Sequence, residues 1–155
     1  MNTLEGIMKA NAIIIDMDGT LADVSSIRHH LIPVDKKKDF HTFHAESVNV
    51  PSHSHVVNAA QVAHMLGVKV LIVTARKFMW RHHTAWWLAM HKVPSDMLMM
   101  RGNEDYRKDY LVKRDMLNTI RQAYNVIHAW DDNPSIIKLW KEEGIPCTVV
   151  EGWEL

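Results

Sequence analysis

A run of apolar residues, Ala12-Ile13-Ile14-Ile15, ends directly on Asp16-Met17-Asp18-Gly19-Thr20. Three consecutive β-branched side chains with no polar alternation describe a strand covered on both faces. Such strands belong to parallel sheets packed between helices. That one requirement propagates along the chain, because a neighbouring parallel strand can be reached only through a crossover, usually a helix. The rest of the sequence supplies this alternation. Further apolar runs lie at 68–73, 97–100, 126–130 and 147–150, and amphipathic patterns over 52–66, 77–91, 108–124 and 134–143 fall between them. Gly67 and Gly144 stand where two of these helices would end, Pro94 stops a third, and Pro134 suits the first turn of the last. The expected fold is α/β, with a Rossmann-like three-layer α/β/α arrangement around a mostly parallel sheet.

Only 24–51 breaks the rhythm. His29-His30, Pro33, Lys36-Lys37-Lys38, Phe40-His41, Phe43-His44 and Pro51 follow one another without a period. This stretch is too short for a second domain, and it reads as a lid or substrate-facing excursion carrying one short helix. A chain of 155 residues fits a single domain. Lys plus Arg balances Asp plus Glu at 18 each, so any polyanion site must be a local patch rather than a global field. The single cysteine, Cys147, excludes an internal disulfide and a cysteine zinc cage. With no long apolar span and no leader pattern, a cytoplasmic location without membrane attachment is expected.

The chemistry lies in how the strands end. The first ends in Asp16 and Asp18, the second in Thr74 and Arg76, the fourth in Asp131 and Asp132, and Lys113 lies on the helix before that fourth strand. Carboxyl ends of parallel strands share one edge of the sheet, so these groups converge despite their separation in sequence. Alternation sends Asp16 and Asp18 the same way, and two carboxylates that close repel unless a cation lies between them or one keeps its proton. An oxygen-only cluster suits a hard cation, Mg²⁺. Thr74, Lys113 and Arg76 offer a hydroxyl, a point charge and a fork of donors, which match a phosphoryl group in flight. On this reading Asp16 attacks phosphorus. Asp18 protonates the departing alcohol and later activates water.

Asp16-x-Asp18-Gly19-Thr20, Thr74, Lys113 and Asp131-Asp132, in that order, resemble the four motifs of the haloacid dehalogenase-like (HAD) phosphohydrolases. The resemblance implies a HAD core with a minimal cap, Mg²⁺ dependence and an aspartyl-phosphate route. It implies that Mg²⁺ is held by the Asp16 carboxylate, the Asp18 carbonyl and one motif-four acid, with Asp132 favoured and Asp131 its neighbour. Val73-Thr74-Ala75-Arg76, Arg107-Lys108-Asp109-Tyr110-Leu111-Val112-Lys113 and Trp130-Asp131-Asp132-Asn133 are similar to the 3′-phosphatase domains of bacteriophage polynucleotide kinase-phosphatases. That likeness implies a nucleic-acid or nucleotide 3′-phosphate end as substrate. It also implies that Thr20 and Arg76 contact the substrate, that Asp109 orients Lys113, and that Arg28 stands, one place off, for a substrate-binding arginine. No Gly-x-x-x-x-Gly-Lys-Ser/Thr loop is present, so 5′-kinase activity is expected from another chain, a separate kinase or ligase partner.

Competing readings remain at this level. Trp80, Trp86 and Trp87 beside Arg76, Lys77, Arg81 and Lys92 suit either a single-strand stacking face or ordinary core packing. His41 with His44, or His53 with His55, are minor zinc candidates. The same chemistry on a small phosphorylated metabolite or a 5′-mononucleotide is the runner-up. A receiver-like phosphoacceptor domain is disfavoured by motif order, since the Asp pair comes first.

Overall fold

The five apolar runs pair side by side, all in parallel, in the order β3-β2-β1-β4-β5. They are β1 (Ala10–Ile15), β2 (Lys69–Lys77), β3 (Met97–Arg101), β4 (Tyr124–Asp131) and β5 (Cys147–Val149). The coordinates are a computed structural model that describes residues 8–32 and 37–153. The lead-in residues 1–7 and Pro33 and Lys36 of the excursion lie outside the described residues.

β1 is central because the chain winds outward from it twice. It first runs through β2 to β3, then returns across the sheet to β4 and β5. The point of reversal opens a crevice at the carboxyl end of β1, where open α/β sheets bind ligands. Alternation along β1 divides the core into two layers. Ile13, Ile15 and Met17 pack with Val56, Val57 and Ala60 of α2 (Ser54–Met65) and with Trp87 and Leu88 of α3 (Arg81–Met90). Ala12 and Ile14 face Val112, Met116 and Leu117 of α4 (Asp109–Ile120) and Ile136, Leu139 and Trp140 of α5 (Pro134–Glu142). The result is the expected three-layer Rossmann-like fold.

Element ends depart from the sequence reading in informative ways. β2 continues four residues past Val73, because Lys77 still pairs with Arg101 of β3. Between the Thr74–Met100 and Lys77–Arg101 pairs, Ala75 and Arg76 bulge out of register. Lys77 therefore belongs to the strand, and a 3-10 turn at Phe78–Trp80 precedes α3. α4 stops at Ile120 rather than Tyr124, since Tyr124 is drawn into pairing with Ala10. Among its described residues the excursion carries one short α-helix, α1 (Phe40–Glu46), and 3-10 turns at Arg28–His30 and Ser47–Asn49; α1 is capped by Asp39, which accepts from the Thr42 backbone N–H at 3.0 Å and the Thr42 hydroxyl at 2.7 Å. Trp87 anchors the excursion to α3 by donating to the Val50 carbonyl at 2.9 Å. No helix among the described residues is long and apolar enough to cross a membrane.

Ile14 sits on the α4–α5 side of β1 and is 1% exposed. Ile14→Ala is expected to cost about 3 kcal/mol and lower Tm by about 10 °C in a thermal melt. Met65→Ala, on the exposed face of α2, should stay within about 0.5 kcal/mol of the parent.

Candidate active site

The backbone beyond β1 stays in the ladder for one more bond, from the Asp16 N–H to the Trp130 carbonyl at 3.1 Å. It then folds back on itself. The Ala22 N–H donates to Met17 O, and the Gly19 N–H donates to Ala22 O, each at 2.9 Å. Gly19 lies in the left-handed region at φ 81°. A Cβ there would overlap the Asp132 carboxylate and come within 3.1 Å of the Arg28 guanidinium. Glycine thus does two things: it makes the turn, and it lets the acid of β4 approach the acid of β1.

Lys113 rises from α4 between those strands, 2% exposed, and donates to Asp16 Oδ1 at 2.8 Å and to Asp131 Oδ2 at 2.9 Å. Burial alone would lower its pKa. The Asp131 and Asp16 carboxylates outweigh that and hold it charged, above its ordinary value. Asp16 shows the reverse strain. Its burial, with Asp131 close by, pushes its carboxyl well above the usual range despite the pull of Lys113. Asp132 is raised for the same two reasons. The Thr20 hydroxyl lies 3.2 Å from both Asp16 Oδ2 and Asp132 Oδ1, and its one proton can serve only one of them at a time. Thr20 is fully buried in that position, so its hydroxyl faces the two acids rather than an open binding surface.

Among the described residues, one group of three could hold a metal ion: Asp16, Asp131 and Asp132, each offering an oxygen within 4.8 Å of the others. Three carboxylates against one ammonium leave the cluster short of positive charge. Asp132 Oδ2 is buried without a hydrogen-bond partner, and its nearest cation, Arg28 Nη2, is 3.6 Å away. An orphaned buried carboxylate oxygen in an all-oxygen set fits a hard divalent cation. The histidine zinc candidates form no such cluster among the described residues. His53 instead uses Nδ1 on the Thr20 carbonyl at 2.9 Å, bracing the turn.

Asp18 leans away from this cluster toward β2. Arg76 grips it with two bonds, Nε to Oδ2 at 2.8 Å and Nη2 to Oδ1 at 2.5 Å, and donates from Nη1 to Thr84 of α3 at 3.0 Å. Burial would raise the Asp18 carboxyl, but the guanidinium overrides it and leaves it below the usual range. The bulge in β2 makes this possible by turning Arg76 inward, 2% exposed. The sequence reading put Arg76 on the substrate; here it holds Asp18. Thr74 accepts from the Arg76 N–H at 3.1 Å and lines the cleft beside Asp16.

Asp109 requires a correction. The resemblance implies that Asp109, four residues before Lys113 on the same helix face, orients the lysine, yet its carboxylate accepts from Arg101 Nη2 at 2.5 Å. Asp109 stands at the exposed start of α4, one turn from the buried lysine, and the nearer cation takes it. Arg101 itself was not singled out by sequence. Its Nε donates to the Ala75 carbonyl at 3.0 Å, and its Nη1 donates to those of Asp105 and Arg107 at 3.0 and 2.6 Å. A lone arginine at a strand end carries no local signal for three carbonyl partners, two in the loop that follows it and one on a neighbouring strand. His44 was read only as a zinc candidate. It is buried in the cleft wall against Trp80, and its Nδ1 has no partner. Burial, helped by Arg76, pushes it down to about 4. Of the tryptophans, Trp87 is core and Trp80 is buried among His41, His44 and His83, while Trp86 is exposed outside the cleft. Of the two readings left open for these tryptophans, packing holds for Trp80 and Trp87, and Trp86 alone is exposed.

A cleft of about 740 Å³ opens over these acids, walled by α1 and the ends of β2 and β3. The family model for the polynucleotide kinase PNKP phosphatase domain matches residues 10–153. A putative bifunctional polynucleotide kinase/RNA ligase of Autographa californica nuclear polyhedrosis virus is 27% identical over 138 residues, covering 87% of this chain and 18% of that protein. A chain in the solved Pnkp1/Rnl/Hen1 RNA repair complex superposes with a TM-score of 0.78 at 27% identity, covering 92% of this chain and 42% of that one. The chain thus spans less than half the length of either relative. A class C acid phosphatase from Bacillus anthracis, with a TM-score of 0.71 and 12% identity over 94% of this chain and 68% of its own, shares the fold.

Two outcomes are expected. Arg101→Ala leaves three carbonyls without a partner and should destabilise the protein by about 2–4 kcal/mol, with faster proteolysis of the 102–108 loop. Arg101→Lys should recover little, because an ammonium cannot fork. For His44, the unfolded chain takes up a proton near pH 6.5 and the folded protein near 4. Stability should therefore fall as pH drops through that window, by about 2 kcal/mol from this group between pH 7.5 and 5. Urea titrations of the parent and of His44→Phe should differ by that slope.

Proposed function

This chain belongs to the polynucleotide kinase PNKP phosphatase domain family, and from that premise we propose that it is a metal-dependent phosphomonoesterase that removes 3′-phosphates from nucleic-acid ends. The observation that carries the reading is the convergence of Asp16, Asp131 and Asp132 around Lys113 at the carboxyl end of β1. An anionic nucleophile meets an anionic phosphate only where fixed positive charge offsets their repulsion. Lys113 supplies one such charge. Asp16, Asp132 and the Asp18 carbonyl would hold Mg²⁺, with Asp131 as its neighbour. The ion would supply Lewis-acid stabilisation of phosphoryl oxygens.

In the first step an Asp16 carboxylate oxygen bonds to phosphorus as the bond to the nucleoside 3′-oxygen breaks. The departing oxygen takes its proton from Asp18. Water then attacks the aspartyl-phosphate, Asp18 accepts its proton, and Asp16 is restored with release of inorganic phosphate. Asp18 held by Arg76 is ionised, which suits the second step. A substrate phosphate that draws the guanidinium fork to itself would free Asp18 to carry the proton needed in the first. Thr74 lines the same space, Arg28 lies 3.6 Å from Asp132 behind it, and the Thr20 hydroxyl touches both Asp16 and Asp132.

The substrate class rests on different support. A cleft of about 740 Å³ is far larger than a phosphate and lies within the usual range of small-ligand sites, roughly 300–1,000 Å³. Excursion 24–51 contributes one short helix to its wall, a minimal cap that leaves room for a polymer end. A separate kinase or ligase chain is the proposed partner in end repair, and the cytoplasm the proposed location.

Phosphate release with Mg²⁺ from a 3′-phosphorylated oligonucleotide, 3′- and 5′-mononucleotides and sugar phosphates should rank the oligonucleotide first. EDTA should abolish turnover and added Mg²⁺ restore it. Asp16→Asn, folded by its melting curve, should lose at least about 10³-fold in kcat. Full activity in that variant would overturn the aspartyl-phosphate route. A preference for sugar phosphates would overturn the substrate class and leave the chemistry standing.

A further inference from the structure

The loop between β3 and α4 holds one side chain in an unusual setting. Tyr106 stands on the rim of the cleft, 75% exposed, yet the backbone on either side of it is locked. Arg101 Nη1 donates to the carbonyls of Asp105 and Arg107, the residues immediately before and after. The Arg107 guanidinium in turn spans Asp105 and Asp115. The ring itself is set by Lys77, whose Nζ lies 4.3 Å from its centroid, and by a 3.3 Å bond from its hydroxyl to Glu104. A broad aromatic face is thus presented to solvent with little freedom left to lose on binding, which is what a stacking contact needs.

Its position relative to the chemistry is equally specific. Lys77 directly follows Arg76, and the β2 bulge sends Arg76 inward to Asp18 and Lys77 outward to Tyr106. Asp18 is the group assigned to the departing oxygen, so the nucleoside carried by that oxygen lies on this side of the cleft. We propose that Tyr106, backed by Lys77, is the platform on which the 3′-terminal nucleobase of a single-stranded end stacks. Aromatic faces beside cations bind single-stranded nucleic acid with little sequence preference, because every base has a π-face and each phosphate is anionic. The proposal rests on the 3′-phosphatase reading and assigns it the residue that distinguishes a polynucleotide end from a smaller phosphate ester.

The test compares the full chain with Tyr106→Ala and Tyr106→Phe on three substrates in Mg²⁺. These are a 3′-phosphorylated oligonucleotide, the same oligonucleotide with a tetrahydrofuran residue in place of its terminal nucleoside, and p-nitrophenyl phosphate. In Tyr106→Ala the ratio of kcat/KM for the oligonucleotide to that for p-nitrophenyl phosphate should fall on the order of tenfold, mainly through KM. Tyr106→Phe, which keeps the ring, should hold the parental ratio. Removing the base should penalise the parent by a similar factor and Tyr106→Ala scarcely further, since the two changes delete the same contact. An unchanged ratio in Tyr106→Ala, or base removal penalising parent and variant alike, overturns the platform. If the parent hydrolyses p-nitrophenyl phosphate but neither oligonucleotide, the substrate reading falls and the platform with it. A parent active on oligonucleotides with an indifferent Tyr106→Ala removes the platform alone.

Discussion

Three buried carboxylates within reach of one another cannot all remain ionised without a cation among them, and the chain places Lys113 between two of them and Arg28 3.6 Å from the third. The two bonds of Lys113, to Asp16 and Asp131, join the ends of β1 and β4 through α4. Desolvating such a group costs several kcal/mol, recovered only when geometry and partners are good. The location is therefore demanding: the switch point must bring β1 and β4 side by side, and α4 must pass close enough to deliver an amine. The remaining deficit of positive charge, seen in the raised Asp16 and Asp132 carboxyls and the orphaned Asp132 oxygen, is what makes a divalent cation fit. Stability and chemistry are coupled through one electrostatic balance.

A second charge balance lies on the other side of β1. There the β2 bulge turns Arg76 onto Asp18 and Lys77 onto Tyr106, so neighbouring residues serve the reacting centre and its rim. Arg101 at the end of β3 stitches the bulge to the 102–108 loop through backbone carbonyls. The site's precision comes from strand ends, whose positions the sheet sets. Its breadth comes from the loops, which are free to vary without disturbing the ladder.

Much of this was legible in the chain before any coordinates. The first strand, the alternation of elements and the acids at the ends of the first and fourth strands follow from apolar runs and what terminates them; Lys113 stood out by its place on the helix before the fourth strand, and its burial became visible only in the fold. Asp109 was misplaced because the four-residue helical spacing says which side chains can meet and nothing about a competing arginine from another strand. The tryptophans of the α3 region were ambiguous because a helix with aromatics and cations looks alike whether its aromatic side faces a core or a ligand. Trp87 is buried and Trp86 is not, although they are neighbours.

By itself the sequence determined the parallel α/β architecture and which acids end the first and fourth strands, because strand periodicity and strand-end chemistry are local properties. Only the tertiary structure decided who pairs with whom: Arg76 with Asp18, Arg101 with Asp109, Lys77 with Tyr106. Those pairings join residues from separate strands and loops, and electrostatic attraction in a crevice depends on distance in space, which spacing along the chain does not encode.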